Sequence, residues 1–165
     1  MHLSWISQLR PHGAMPSSAS VTSGGRPVLA IALIGFLHDI DGRPRGHLEA
    51  ARVLEPSGCL CAAIPHPINT AGSFQGSDAA APFVISGSYL DRAPLTMVID
   101  RGGVRLTFHS EHRPLHAYIQ ALAAAGLLTE TIREVGPPAQ VIAQDPAAQR
   151  WQRIPLFLHL RAIKR

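Results

Sequence analysis

The stretch Glu49 to Pro67, EAARVLEPSGCLCAAIPHP, limits most sharply what this chain can fold into. Leu48, Ala51, Val53 and Leu54 place apolar residues near helical spacing, and Pro56 and Gly58 stop that helix immediately after its last turn. Cys59 to Ile64 then runs almost unbroken in apolar residues, the pattern of a short strand covered on both faces in a parallel sheet. Polar residues return at His66 and Asn69. In open α/β sheets ligands gather beyond the carboxyl ends of strands, so the Pro65 to Asn69 turn is where substrate contacts are expected.

The preceding apolar run, Val28 to Phe36, is too short for a core helix and reads as a second buried parallel strand. His38, Asp39, Ile40 and Asp41 end it, and Gly42, Arg43 and Pro44 lead into the helix that closes near Leu54. Strand, helix and strand form one βαβ unit whose crossover is expected to be right-handed, with both polar turns on one rim. Met1 to Pro27 is rich in Ser, Gly and Pro and has no acidic residue, so residues 1–27 read as a disordered leader and 28–165 as a single domain.

Asn69 to Leu90 reads as a long Gly, Ser and Ala-rich connection, either a lid or a disordered loop. Leu95 to Ile99 and Val104 to Phe108 flank Gly102-Gly103 as a β-hairpin positioned to cap the site. His109, Ser110, Glu111 and His112 then read as the lead-in to a helix striped by Leu115, Tyr118, Ile119, Leu122 and Ala125, which Gly126 ends. Leu127 to Glu134 is a strand, residues 136–148 a Pro and Ala-rich loop, and Ile154 to Ile163 a terminal strand.

Composition narrows the function. The charge of +4 comes from fourteen Arg and one Lys scattered along the chain, which argues against nucleic-acid binding. The longest apolar run is about half of membrane-spanning length, and two cysteines two apart in one strand are poorly placed to bridge, so the expected setting is cytoplasmic. His109, Glu111, His112 and His66 are possible metal ligands, but their spacing is nonspecific and no metal is assigned.

Taken together, the HDID turn after an apolar strand, the Arg52-Val53-Leu54-Glu55-Pro56-Ser57-Gly58-Cys59-Leu60 turn and the terminal PLFLHLRAIK strand resemble a class I S-adenosylmethionine-dependent methyltransferase. Ser57 stands where that family usually has a second glycine. The resemblance implies an α/β fold: a partial Rossmann-like methyltransferase sheet, equivalent to the fourth to seventh strands, with an inserted hairpin. It also implies S-adenosylmethionine as cofactor and a small-molecule methyl acceptor. His38 and Asp39 fall where the family places cofactor-edge and catalytic contacts, and otherwise read as turn and helix-start residues. His66, Asn69, Glu111 and His112 are the candidate substrate-binding residues, or else loop polarity.

The family's Gly-rich cofactor turn has no counterpart here, since Gly24-Gly25 is too short for the fingerprint. Two readings follow. The chain is a methyltransferase-family protein truncated to its C-terminal half and not competent alone, or a non-catalytic remnant or complementing subunit that pairs with a chain supplying the cofactor-binding half. In both, the edge of the Val28 to Phe36 strand lacks a neighbour, which favours a homodimer or a complementing chain there unless the leader folds back over it.

Overall fold

The computed structural model describes residues 21–23, 26–32, 46–101 and 103–165. In chain order these form β1 (Val21–Ser23), β2 (Arg26–Ala32), α1 (Gly46–Val53), β3 (Cys59–Pro65), α2 (Pro67–Ala71), β4 (Gly72–Phe74) and β5 (Phe83–Ile85). There follow β6 (Ala93–Arg101), β7 (Val104–His112), α3 (Leu115–Ala124), β8 (Leu127–Val135), α4 (Ala139–Gln144), a 3-10 turn (Pro146–Gln152) and β9 (Phe157–Lys164). The main sheet runs β1-β2-β3-β9-β8. Among the described residues only β2 and β3 pair in parallel; the last strand enters antiparallel to both of its neighbours.

The apolar run of β3 is central, as its composition requires, but it has a parallel partner on one side only. Leu60, Ala62 and Ile64 stand opposite Ala162, Leu160 and Leu158 of β9, so these six share one face. Ala50 and Ala51 of α1, Leu54 just after it, and Tyr118 and Leu122 of α3 pack onto that face and close the core. On the opposite face Cys59 is buried, whereas Cys61 and Ala63 are half-buried beside His159 and Arg161. The thiols are unbridged, and burial pushes the Cys61 thiol up against the opposing pull of Arg161.

The turn between α1 and β3 explains the glycine preference noted at Ser57. Its φ of 65° lies in the left-handed region, a conformation that costs a non-glycine residue about 1–2 kcal/mol. The turn is held by the Ser57 amide donating to the Lys164 carbonyl at 2.9 Å, and the Lys164 amide donating to the Gly58 carbonyl at 2.9 Å. Lys164 Nζ also donates to the Leu54 carbonyl at 2.7 Å, so the chain's last strand clamps the end of α1. At Gly58 an added Cβ would fall 2.8 Å from the Glu55 carbonyl oxygen, so the close turn excludes a side chain there.

Several local expectations change. The 69–90 stretch is not one long connection: it holds the end of α2 and the paired β4 and β5. Phe74 meets Phe83 and Trp151 edge to face at ring separations of 5.0 and 4.9 Å, and the guanidinium groups of Arg150 and Arg153 lie over its ring. Arg150 and Arg153 also donate to the carbonyls of Ser77 and Ala81, which fastens the segment.

His109 to His112 are the end of strand β7, not a helix lead-in, because the hairpin ladder continues to the Ala93–His112 pair. The 136–148 loop contains α4 and the start of the 3-10 turn, each beginning at a proline-bearing N-terminus where the missing amide costs nothing. Val21–Ser23, within the stretch assigned to the leader, pairs antiparallel with Arg26 to Val28; residues 1–20 and the Leu33 to Phe36 end of the expected strand lie outside the described residues.

Amide exchange will therefore be uneven across 72–86. Gln75 and Ser86, whose amides donate to Pro82 and Ala71, should be slow, while Gly76 and Ser77 exchange at once. Uniformly fast exchange across the segment would show that β4 and β5 do not form.

Candidate functional site

The rim at the carboxyl end of β3 is built by the short helix α2. Pro67 opens it with φ already suited to a helix, and His66 caps it: Nδ1 accepts the Ile68 amide at 3.1 Å. That bond places the ring proton on Nε2, which donates to Glu134 Oε1 of β8 at 2.9 Å. Only 5% of His66 is exposed. Burial lowers its pKa, with Glu134 opposing through its hydrogen bond and its charge. Asn69 Nδ2 donates to the Leu156 carbonyl at 3.3 Å, and the same carbonyl accepts the His66 amide at 3.0 Å. The rim is thereby tied to the entry of β9.

A second knot forms at His112. Its Nε2 donates to the Tyr89 carbonyl at 2.9 Å and its Nδ1 meets the Thr70 hydroxyl at 2.7 Å. The Thr70 hydroxyl in turn lies 2.9 Å from the Pro67 carbonyl. The Tyr89 ring lies tilted against the imidazole with 5.7 Å between centroids, and the Tyr89 hydroxyl accepts the Leu115 amide at 3.3 Å. One buried histidine thus joins α2, the chain before β6, the end of β7 and the start of α3. Beside it Arg113 Nε donates to Glu111 Oε2 at 2.5 Å, with Arg113 buried and Glu111 partly open to solvent.

Of the residues singled out in the sequence, the structure gathers His66, Asn69 and His112 around α2 and places Glu111 beside them on β7. His38 and Asp39 lie outside the described residues. Both ring nitrogens of His66, and both of His112, are committed to neighbours within the protein. What this arrangement does is fix a rim rigidly; the half-buried Asn69 and Glu111 are the members a ligand can reach. Among the described residues no group of three or more His, Cys, Asp or Glu is placed to hold a metal ion.

Glu134, Thr70, Tyr89 and Arg113 are the partners that sequence reasoning missed. Glu134 is 68 residues from His66 and Thr70 is 42 from His112, so no local pattern could have paired them. Arg113, directly before Pro114, carried a weak signal as a polar residue at a helix start.

No family model matches the chain, and no curated protein resembles it significantly. Solved structures do match. An S-adenosylmethionine-dependent methyltransferase from Mesorhizobium loti superposes with a TM-score of 0.62 at 22% identity, covering 83% of this chain and 61% of that one. A Listeria monocytogenes protein assigned to the same enzyme class gives 0.63 at 23% identity, covering 84% and 61%. The chain therefore has the fold of the methyltransferases that it matches, and it spans about 61% of the length of these two.

The histidines set a pH dependence. His66 and His159 are both held below the usual imidazole pKa, each mainly by burial, with Arg133 adding to the effect at His159. A depressed folded pKa means that the unfolded chain binds protons first, so their stabilisation is present above about pH 6.5 and is lost as pH falls through the folded values. Thermal melts between about pH 7 and pH 5 should show falling stability, with a shallower slope in His66→Asn, which keeps a capping acceptor, and shallower still with His159→Gln added. An unchanged slope in the double variant would contradict this.

Proposed function

We propose that this chain is the distal half of an S-adenosylmethionine-dependent methyltransferase acting on a small molecule, carrying the substrate side of the sheet and not competent alone. The observation that supports it best is the strand order: a parallel β2-β3 pair joined through α1, with the final strand seated antiparallel between β3 and β8. Two solved methyltransferases superpose on that arrangement. Among the described residues no helix is long and apolar enough to cross a membrane.

In this reading His38 and Asp39, beyond the end of β2, orient the methyl acceptor or take its proton. Asn69 and Glu111 contact the acceptor, while His66 and His112 keep that rim in place. A rim fixed in this way holds a nucleophile in one orientation and excludes water, which is most of what methyl transfer asks of a protein.

The described residues do not fit S-adenosylmethionine. Of the backbone amides that follow β3, those of His66, Ile68 and Thr70 are already taken by the Leu156 carbonyl, the His66 ring and the His66 carbonyl. No other turn after a parallel strand is present among the described residues to cradle the cofactor's amino-acid end.

A second reading is favoured by the edge of β2. The strand β1 pairs only with Arg26 to Val28, so Leu29 to Ala32 face no further strand among the described residues. An open edge of that kind accepts a strand from another chain. The protein would then be a complementing subunit, with its partner supplying the cofactor-binding half.

Both readings predict that the chain alone does not bind S-adenosylmethionine. One or two exposed hydrogen bonds contribute about 0.5–1.5 kcal/mol each, against about 8 kcal/mol for micromolar affinity. Calorimetric titration of the purified chain should show no saturable heat. Micromolar one-to-one binding that Asp39→Ala abolishes would contradict both and assign the chain a cofactor site of its own.

A further inference from the structure

The first amides of a helix need acceptors outside it, and α2 takes one that can change its charge. Pro67 has no amide to offer, and the Ile68 amide donates to Nδ1 of His66 at 3.1 Å. Side-chain oxygens, the usual caps, keep accepting across the physiological range, whereas an imidazole nitrogen accepts only while it carries no proton. The other ring nitrogen, Nε2, already bears its proton and donates to Glu134 Oε1 at 2.9 Å. A second proton can therefore enter only at Nδ1, where it meets the Ile68 N–H donor to donor.

Among the described residues little offsets that conflict. Glu134 is the one charged side chain that acts on the ring, and with its side chain 60% exposed a stronger ion pair to it is largely screened. Arg133, His159, Arg161 and Cys61 share the face of the sheet opposite Glu134. Arg153 is turned to the Ala81 carbonyl and the Phe74 ring, and His112 meets α2 at Thr70. Neither α2 itself nor β4 carries a titratable side chain.

Burial holds the His66 ring below the usual imidazole pKa, so the cap is in place at neutral pH and is lost as pH falls through the folded value. With five residues, α2 is too short to persist by propensity and depends on this cap and on packing. The strand beneath does not. Its last pair, Pro65 with Phe157, and the bond from the His66 amide to the Leu156 carbonyl involve backbone alone.

We propose that His66 makes α2 a proton-released latch: protonation at Nδ1 expels the Ile68 amide and frees the helix, while the sheet beneath stays paired. Asn69 then loses the Leu156 carbonyl and Thr70 its contact with His112, so the rim is closed at neutral pH and opens in acid. A ligand held through Asn69 is retained by the closed form and let go by the open one. The latch stands without the methyltransferase reading, because what it changes is backbone order at α2.

The test follows the full chain by nuclear magnetic resonance from about pH 8 to about pH 5, reading the His66 ring nitrogens together with the amide protection factors of Ile68, Thr70 and Leu160. As Nδ1 takes its proton, protection at Ile68 and Thr70 should fall about tenfold with the same midpoint, and that at Leu160 should hold. Glu134→Gln keeps an acceptor for Nε2 and removes the charge that favours the imidazolium, so both midpoints should move together to lower pH. His66→Asn, whose amide oxygen does not titrate, should leave protection at Ile68 and Thr70 flat across the range. Protection at Ile68 that persists through the ring's titration, a loss that Leu160 shares, or an Ile68 midpoint unmoved in Glu134→Gln would overturn the latch. Each of those outcomes leaves the methyltransferase reading, which rests on strand order, standing.

Discussion

The seat of β9 between β3 and β8 is the interaction on which the rest of the molecule depends. An antiparallel strand placed there satisfies two ladders of backbone hydrogen bonds and sets Leu158, Leu160 and Ala162 against the helix-covered face of β3. The same strand reaches back through Lys164 to lock the turn after α1, and its entry at Leu156 receives the amides and side chains of the β3 rim. Core, turn and rim are thus held by one late element of the chain. Because one partner, β3, lies far earlier in the sequence, the full seat cannot form until most of the chain is present.

This dependence explains why polar residues at the rim are structural before they are anything else. His66 and His112 carry chemistry by type, yet each spends both nitrogens on neighbours in the protein. Buried imidazoles left unpaired would be costly, and pairing them fixes α2 and the hairpin relative to the sheet. The members of the rim left half-buried are Asn69 and Glu111.

The sequence made the central elements legible because their patterns are local. The apolar run of β3, the stripe of α3 and the glycine turn of the β6-β7 hairpin each appear close to where periodicity puts them. Even the odd residue in the turn, Ser57, is explained by its left-handed φ. The misreadings share a cause. Both α2 and α4 are short and start at prolines, so they resemble loops, and their stability comes from a cap or from packing instead of propensity. The segment 72–86 is fixed by Arg150, Arg153 and Trp151, some 70 residues away, and His66 by Glu134 at a similar separation. Long-range partners of that kind leave no periodic trace.

Strand order carries both the fold and the functional reading, and cross-strand nuclear Overhauser contacts measure it directly. The account predicts contacts from Ala62 to Ile31 on one side and to Leu160 on the other, together with contacts from Leu160 to Ile132. Contacts placing β8 directly beside β3, with β9 at the edge, would contradict it and remove the basis for reading this chain as half of a methyltransferase.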